Sequence, residues 1–373
     1  MKKIQLGLGL LLFSSIGFWG CNQPAPTAQQ GSFSSTAAPG RGVVTPRPYK
    51  PDWSGQPAAI RAAIAVQDRH TKDLMAIAGV IGTGVGSDEQ RPEQAVIEVF
   101  TSHDGVAGVP QFVEGIKTRI ENIGAVHAFG RTTWTSKYRG PIYCGVSTGN
   151  NNECASGSIG ALVTTSLTGN TTGNSGAITV YSGAASSTGY LLSNNHVFAR
   201  ENAATSSEQE DQPGRYDNNC NAGNGVASLY AWNFISSTSN NLYDAALAAC
   251  SSSESWTPSM WNGSNGALYK PTNSVVTPSV GLSVKKVGRT SGYTTGSISG
   301  INVTITVGYS GFNATFVNQI YVRGQFIKSG DSGSMMCDAN GDPVGLNFAG
   351  SNTASFANPM GPIANDFGLS FVQ

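Results

Sequence analysis

Lys328-Ser329-Gly330-Asp331-Ser332-Gly333-Ser334 sets a serine between two glycines, with an acid before it and the apolar run Met335-Met336-Cys337 after it. A serine hydroxyl is a weak nucleophile that needs a base, and its tetrahedral product needs hydrogen-bond donors. A glycine two residues ahead permits a tight turn, so the N–H groups of Gly330 and Ser332 can converge on one oxyanion. Taken alone, the stretch also fits a surface turn, because Gly, Asp and Ser are common loop residues. The base must be one of four histidines, His70, His103, His127 and His196, and all of them precede Ser332. That order excludes a Ser…Asp…His arrangement, and no two of them have His-Glu-x-x-His zinc spacing. His196 ends the run Gly189-Tyr190-Leu191-Leu192-Ser193-Asn194-Asn195-His196, where a strand can aim an imidazole. His103 and His127 are expected to be structural.

An acid must orient that imidazole. Asp211 and Asp217 lie in a polar run expected to form a solvated loop, and Asp331 adjoins the serine. Asp244 is set in Asn241-Leu242-Tyr243-Asp244-Ala245-Ala246-Leu247-Ala248. A carboxylate among such residues is costly to bury without a specific partner, and His196 is the one the chemistry requires.

The order His196, Asp244, Ser332 resembles that of chymotrypsin-like serine proteases. Ser-Asn-Asn-His is similar to the family's histidine turn, Asp-Ala-Ala-Leu to its aspartate strand and Gly-Asp-Ser-Gly to its serine loop. A fourth stretch, Lys286 to Ile298, resembles the strand and turn that open the second barrel in bacterial secreted members such as the streptogrisins. Ser334 departs from the pattern, standing where many members have a glycine. The resemblance covers residues 157–373. It implies an all-β fold of two six-stranded antiparallel β-barrels, with His196 and Asp244 from the first and Ser332 from the second. It implies a serine endopeptidase acting on a protein or peptide through an acyl-enzyme, without metal or organic cofactor. In this fold Phe326, Ile327, Ser329, Asn347, Phe348 and Ala349 are expected to bind substrate, with Phe326 and Ile327 as an apolar pocket base. Two other readings share the sequence: a catalytically silent trypsin-fold module that binds peptides or surfaces, and an esterase. In trypsin-like zymogens a new amino terminus pairs with the acid before the serine, here Asp331. Ile159-Gly160 has the apolar character for that role, but Ser158 before it is no tryptic site, so a chain that folds active without such a cut is expected.

The elements that position these residues follow in chain order. Met1-Lys2-Lys3 and the apolar run to Phe18 form a signal peptide over residues 1–21, too short to span a membrane as a helix. Gly20-Cys21 resembles a lipoprotein signal, which makes Cys21 the expected lipidation site and the only expected membrane link. Residues 22–54 carry Pro24, Pro26, Pro39, Pro46, Pro48 and Pro51 with little to bury, and read as a disordered tether. Residues 55–130 read as a small α/β leader or pro-domain, with a helix over Ala58 to Ala76, a strand hairpin over 78–86, a strand over Ala95–Phe100 and a second helix over Phe112 to Ile123. From Gly157 onward short apolar runs alternate with Gly, Ser and Asn turns, the cadence of an all-β barrel pair.

Charged residues make up 12% of the chain and the formal net charge is zero, so there is no electrostatic footprint for nucleic acid. Export permits disulfides. Cys144 with Cys154 would close a short loop, and Cys220 with Cys250 would tie the polar loop to the strand after Asp244. Cys337 is then left as a buried thiol, and no His and Cys set has metal-ligand spacing.

Overall fold

The computed structural model describes residues 51–373 except 129–133, 135, 139, 182, 184–188, 206–207 and 265. The signal segment, Cys21 and nearly all of the tether lie outside the described residues.

The second barrel is a closed ring. Ser283–Gly288 pairs with Met335–Asp338, then in turn follow Pro343–Gly350, Ala354–Pro359, Asn313–Arg323 and Gly292–Gly308, which returns to Ser283–Gly288. Every pairing in this ring is antiparallel, and the ring closes where Gly292–Gly308 meets Ser283–Gly288. Its interior is filled by Val284, Ile298, Ile320, Val322, Met336 and Val344. The first barrel is a curled antiparallel sheet in the order Ala161–Thr165, Tyr190–Ser193, Ala246–Cys250, Gly225–Asn233, Gln209–Asp211 and Ser147–Asn150. Leu191, Leu192, Leu229, Leu247 and Phe198 belong to one apolar cluster around this sheet, all fully buried. The all-β expectation therefore holds, and most strand positions fall within a few residues of the apolar runs that signalled them.

The leader is an extension of the second barrel's sheet. Val80–Ser87 pairs antiparallel with the long strand Gly292–Gly308, and Ala95–Thr101 joins on its far side. The helix Ala58–Met75 buries Ile60, Ala63, Ile64 and Leu74, close to its expected span. Two expectations are corrected. Val80–Ser87 is one strand, not a hairpin, because its partners come from elsewhere in the chain. Phe112 to Ile123 is not a helix but the strands Phe112–Val113 and Ile116–Asn122. Glu114 and Gly115 turn between them at φ 45° and 81°, a left-handed pair that no helix can pass through.

Cysteine pairing is also corrected. Cys154 bonds to Cys220, 66 residues away, and neither expected bridge forms. The polar loop folds back on the 147–158 hairpin, with Glu210 opposite Asn150 and Tyr216 N–H donating to Ala155 O, which carries Cys220 to Cys154. Cys144 is held elsewhere, paired with Met260 in a small parallel sheet. Cys144 and Cys250 are both buried, and burial pushes the Cys144 thiol up to about 12. Cys337 is buried in the second barrel's strand Met335–Asp338, as its apolar setting implied.

Candidate active site

Asp244 precedes the strand Ala246–Cys250 and is 0% exposed. The turn after Tyr190–Ser193 brings His196 against it. His196 Nδ1–H donates to Asp244 Oδ2 at 2.6 Å, and the His196 backbone N–H donates to Oδ1 at 3.2 Å. Two asparagines brace the same residue: Asn194 Nδ2 donates to the Asp244 carbonyl at 2.6 Å, and Asp244 N–H donates to Asn358 Oδ1 at 3.1 Å. Burial alone would lower the His196 pKa. The Asp244 charge and hydrogen bond outweigh that, Glu201 and Glu153 add to it, and the imidazole sits above its ordinary 6.5.

Ser332 sits on a loop locked from both barrels. Gly333 N–H donates to Asn347 O at 2.9 Å, Ser158 N–H to Ser332 O at 2.7 Å, and Ser158 Oγ to Gly330 O at 3.0 Å. Gly330 adopts φ 91°, and a Cβ there would run into the side chains of Arg289 and Thr290, so the position requires glycine. The histidine and serine loops meet at Gly157. A Cβ added there would lie 2.5 Å from Val197 Cγ2 and 2.9 Å from Ser332 O. Ser332 Oγ donates to Phe348 O at 3.2 Å, while His196 Nε2 is buried and has no hydrogen-bond partner among the described residues.

Asp331, next to the serine, is held by Lys286. Its Oδ2 lies 3.1 Å from Lys286 Nζ, and its carboxylate also accepts from the N–H groups of Thr290, Ser291 and Lys328. Arg289, one residue before Thr290, is fully buried and paired with Asp217, Nε to Oδ2 at 2.7 Å. This corrects the reading of the polar loop. Asp211 is 0% exposed and binds Asn151 Nδ2 at 2.9 Å, and Asp217 neutralises a buried cation.

The expected substrate residues divide. Phe326 and Ile327 are buried and pack with Ile298 and Val322 of the second barrel. Phe348 is likewise buried, its ring 4.8 Å from Phe316. Ser329 is half-buried, and Asn347 Nδ2 donates to Ser334 O at 3.1 Å. Ala349 and Gly350 form backbone pairs with Ala128 and His127 of the leader. Sequence reasoning missed Tyr309, whose hydroxyl donates to Asp244 Oδ2 at 2.9 Å. It lies in a Gly-Tyr-Ser-Gly-Phe turn, and nothing local ties that turn to Asp244.

No family model matches the chain, and no curated protein matches it. Several solved bacterial serine proteases are similar to it in structure. Thermobifida fusca protease A shares 17% identity at a TM-score of 0.41, over 62% of this chain and 99% of its own. Nocardiopsis protease shares 18% at 0.40, over 62% of this chain and 100% of its own. A Cellulomonas bogoriensis chymotrypsin shares 17% at 0.39, over 62% of this chain and 98% of its own.

Proposed function

We propose that the chain is an exported serine endopeptidase working through Ser332, His196 and Asp244. The observation that carries this reading is the buried His196–Asp244 pair, whose Nε2 has no hydrogen-bond partner among the described residues, on a turn that shares its Gly157 neighbour with the Ser332 carbonyl. In this reading Ser332 Oγ exchanges its hydrogen bond to Phe348 O for one to Nε2. Oγ then attacks the scissile carbonyl carbon as its proton passes to Nε2, and the N–H groups of Gly330 and Ser332 hold the oxyanion. The proton goes on to the leaving amine nitrogen, the C–N bond breaks, and water hydrolyses the acyl-enzyme by the same route. Asp244 fixes the imidazole tautomer throughout. Reaction with a fluorophosphonate probe, mapped to Ser332, is the expected result. An unlabelled native protein overturns the reading, and turnover of esters without peptides would narrow it to an esterase.

The leader is proposed to act as a pro-segment. His127 and Ala128 pair antiparallel with Gly350 and Ala349, and His127 also pairs with Gly308. An extended substrate backbone binds by adding a strand to such an edge, so leader and substrate compete for it. Export is supported by the Cys154–Cys220 bridge, which an oxidising compartment preserves. Lipidation at Cys21 would then hold the enzyme at a membrane surface. The intact mass of the exported protein tests that anchor and any cut in the leader together.

A further inference from the structure

Tyr309 lies at the tip of the hairpin formed by Gly292–Gly308 and Asn313–Arg323, and Tyr309 N–H donates to Phe312 O at 2.9 Å to close the turn. This tip belongs to the second barrel, yet it reaches the acid of the first. The Tyr309 ring stacks on Phe312 at 5.2 Å and 12°, and stands edge-on to the His196 ring at 6.1 Å. Ser310 N–H donates to Glu201 Oε2 at 2.8 Å, which fastens the tip to the segment just after the His196 turn. The Tyr309 hydroxyl thereby meets Asp244 Oδ2, the oxygen that also accepts His196 Nδ1–H. Burial and the Asp244 charge hold the phenol well above its ordinary 10, so it remains a donor across the neutral range.

A carboxylate can rotate about its Cβ–Cγ bond, and only donors from separate directions stop it. Among the described residues the Asp244 carboxylate has three such donors: the His196 backbone, the His196 ring and Tyr309. The first two move with the histidine. Tyr309 alone is anchored on the other barrel. We infer that Tyr309 is a positioning residue, whose hydroxyl fixes the Asp244 carboxylate and through it the plane and basicity of the His196 imidazole. The inference rests on the serine-hydrolase reading. A phenol is a more acidic donor than an aliphatic hydroxyl, so it also draws charge off Oδ2.

Tyr309→Phe removes the hydroxyl and keeps the ring in its stack. Expected is a kcat about 10-fold lower with KM within about twofold, the effect of losing one hydrogen bond to a charged group. With less of its charge drawn off, Asp244 holds the imidazolium more strongly, so the acid limb of kcat moves to higher pH. The charged and titratable groups facing His196 are Asp244, Glu201, Glu153 and Tyr309, and only one of them is altered. Unchanged kcat and an unmoved limb overturn the inference. If the wild-type protein fails to label at Ser332, the hydrolase reading falls, and the inference is judged by NMR of the His196 Nδ1 proton. A resonance shifted by Tyr309→Phe then supports the contact, and an unshifted one rejects it.

Discussion

Lys286 and Asp331 form an ion pair beneath the serine loop, Nζ to Oδ2 at 3.1 Å, with both side chains 0% exposed. The cation that holds the acid next to Ser332 is thus internal to the chain, supplied by the strand Ser283–Gly288. Ile159, the residue best suited by sequence to become a new amino terminus, donates its N–H to Val146 O at 3.0 Å instead. Lys286→Met should strand the Asp331 carboxylate in the core, at a cost of about 3–5 kcal/mol. The expected outcome is a lower denaturation midpoint together with loss of fluorophosphonate labelling at Ser332. Full labelling in this variant would show that the serine loop does not depend on the pair.

Single replacements Ser332→Ala, His196→Ala and Asp244→Ala should each lower kcat/KM for a peptide by roughly three or more orders of magnitude. Asp217→Ala should behave differently from all three. It leaves the Arg289 guanidinium buried without its partner, so it should lose about 3–5 kcal/mol of stability. Chemical denaturation of the four variants separates the groups. Asp217→Ala as stable as wild type would mean that Arg289 finds another acceptor.

The burial of Lys286 is legible in the sequence. Lys285 and Lys286 are adjacent in a strand, and adjacent side chains point to opposite faces, so one of the two had to enter the barrel. Lys285 stays outside over the Tyr269 ring, and Lys286 goes in. The proposed triad could be singled out because chemistry restricts the residue types and the chain offers few histidines and aspartates. Strands were readable for a similar reason, since alternation and turn residues are local signals. Long-range pairings were not. Tyr309 reaches Asp244, and Cys220 reaches Cys154, only through the way sheets curl, and no local pattern encodes that. Phe326 and Ile327 are buried in the second barrel, and an apolar residue near a cleft and one in a barrel core look alike in sequence.

The acid limb of the pH profile should report His196. Catalysis needs the neutral imidazole, and the Asp244, Glu201 and Glu153 charges keep the protonated form in place to higher pH. Activity should therefore rise with pH through a midpoint above 6.5, the ordinary histidine value. A kcat/KM profile on an uncharged peptide checks this. A midpoint at or below that value would mean that burial outweighs the carboxylates.

The proposed competition between leader and substrate predicts that loosening the leader raises activity. Ala128 pairs with Ala349, and proline at position 128 removes its N–H and disrupts the short strand. Initial rates of peptide hydrolysis by the full chain should be higher for Ala128→Pro than for wild type, through a lower KM. Equal rates and equal KM would show that substrate does not compete with the leader.

Preference for the side chain before the cut follows from charge. The segments flanking the serine site, Gly324 to Ser329 and Leu346 to Gly350, contain no carboxylate. Asp331, the nearest acid in sequence, is already neutralised by Lys286. A substrate Lys or Arg entering this region would lose its hydration without gaining a counter-charge, at a cost of several kcal/mol. Lys328 is the one ionisable residue in the two segments, and it is exposed, so solvent weakens any pull it exerts on a substrate acid. Uncharged residues, apolar ones above all, are therefore expected before the scissile bond. Their backbone would pair with Ala349 and Gly350 once the leader strand is displaced. A chromogenic peptide library varied only at that position measures the preference. Highest kcat/KM after Arg or Lys would require an acid from outside these segments and would refute the charge argument.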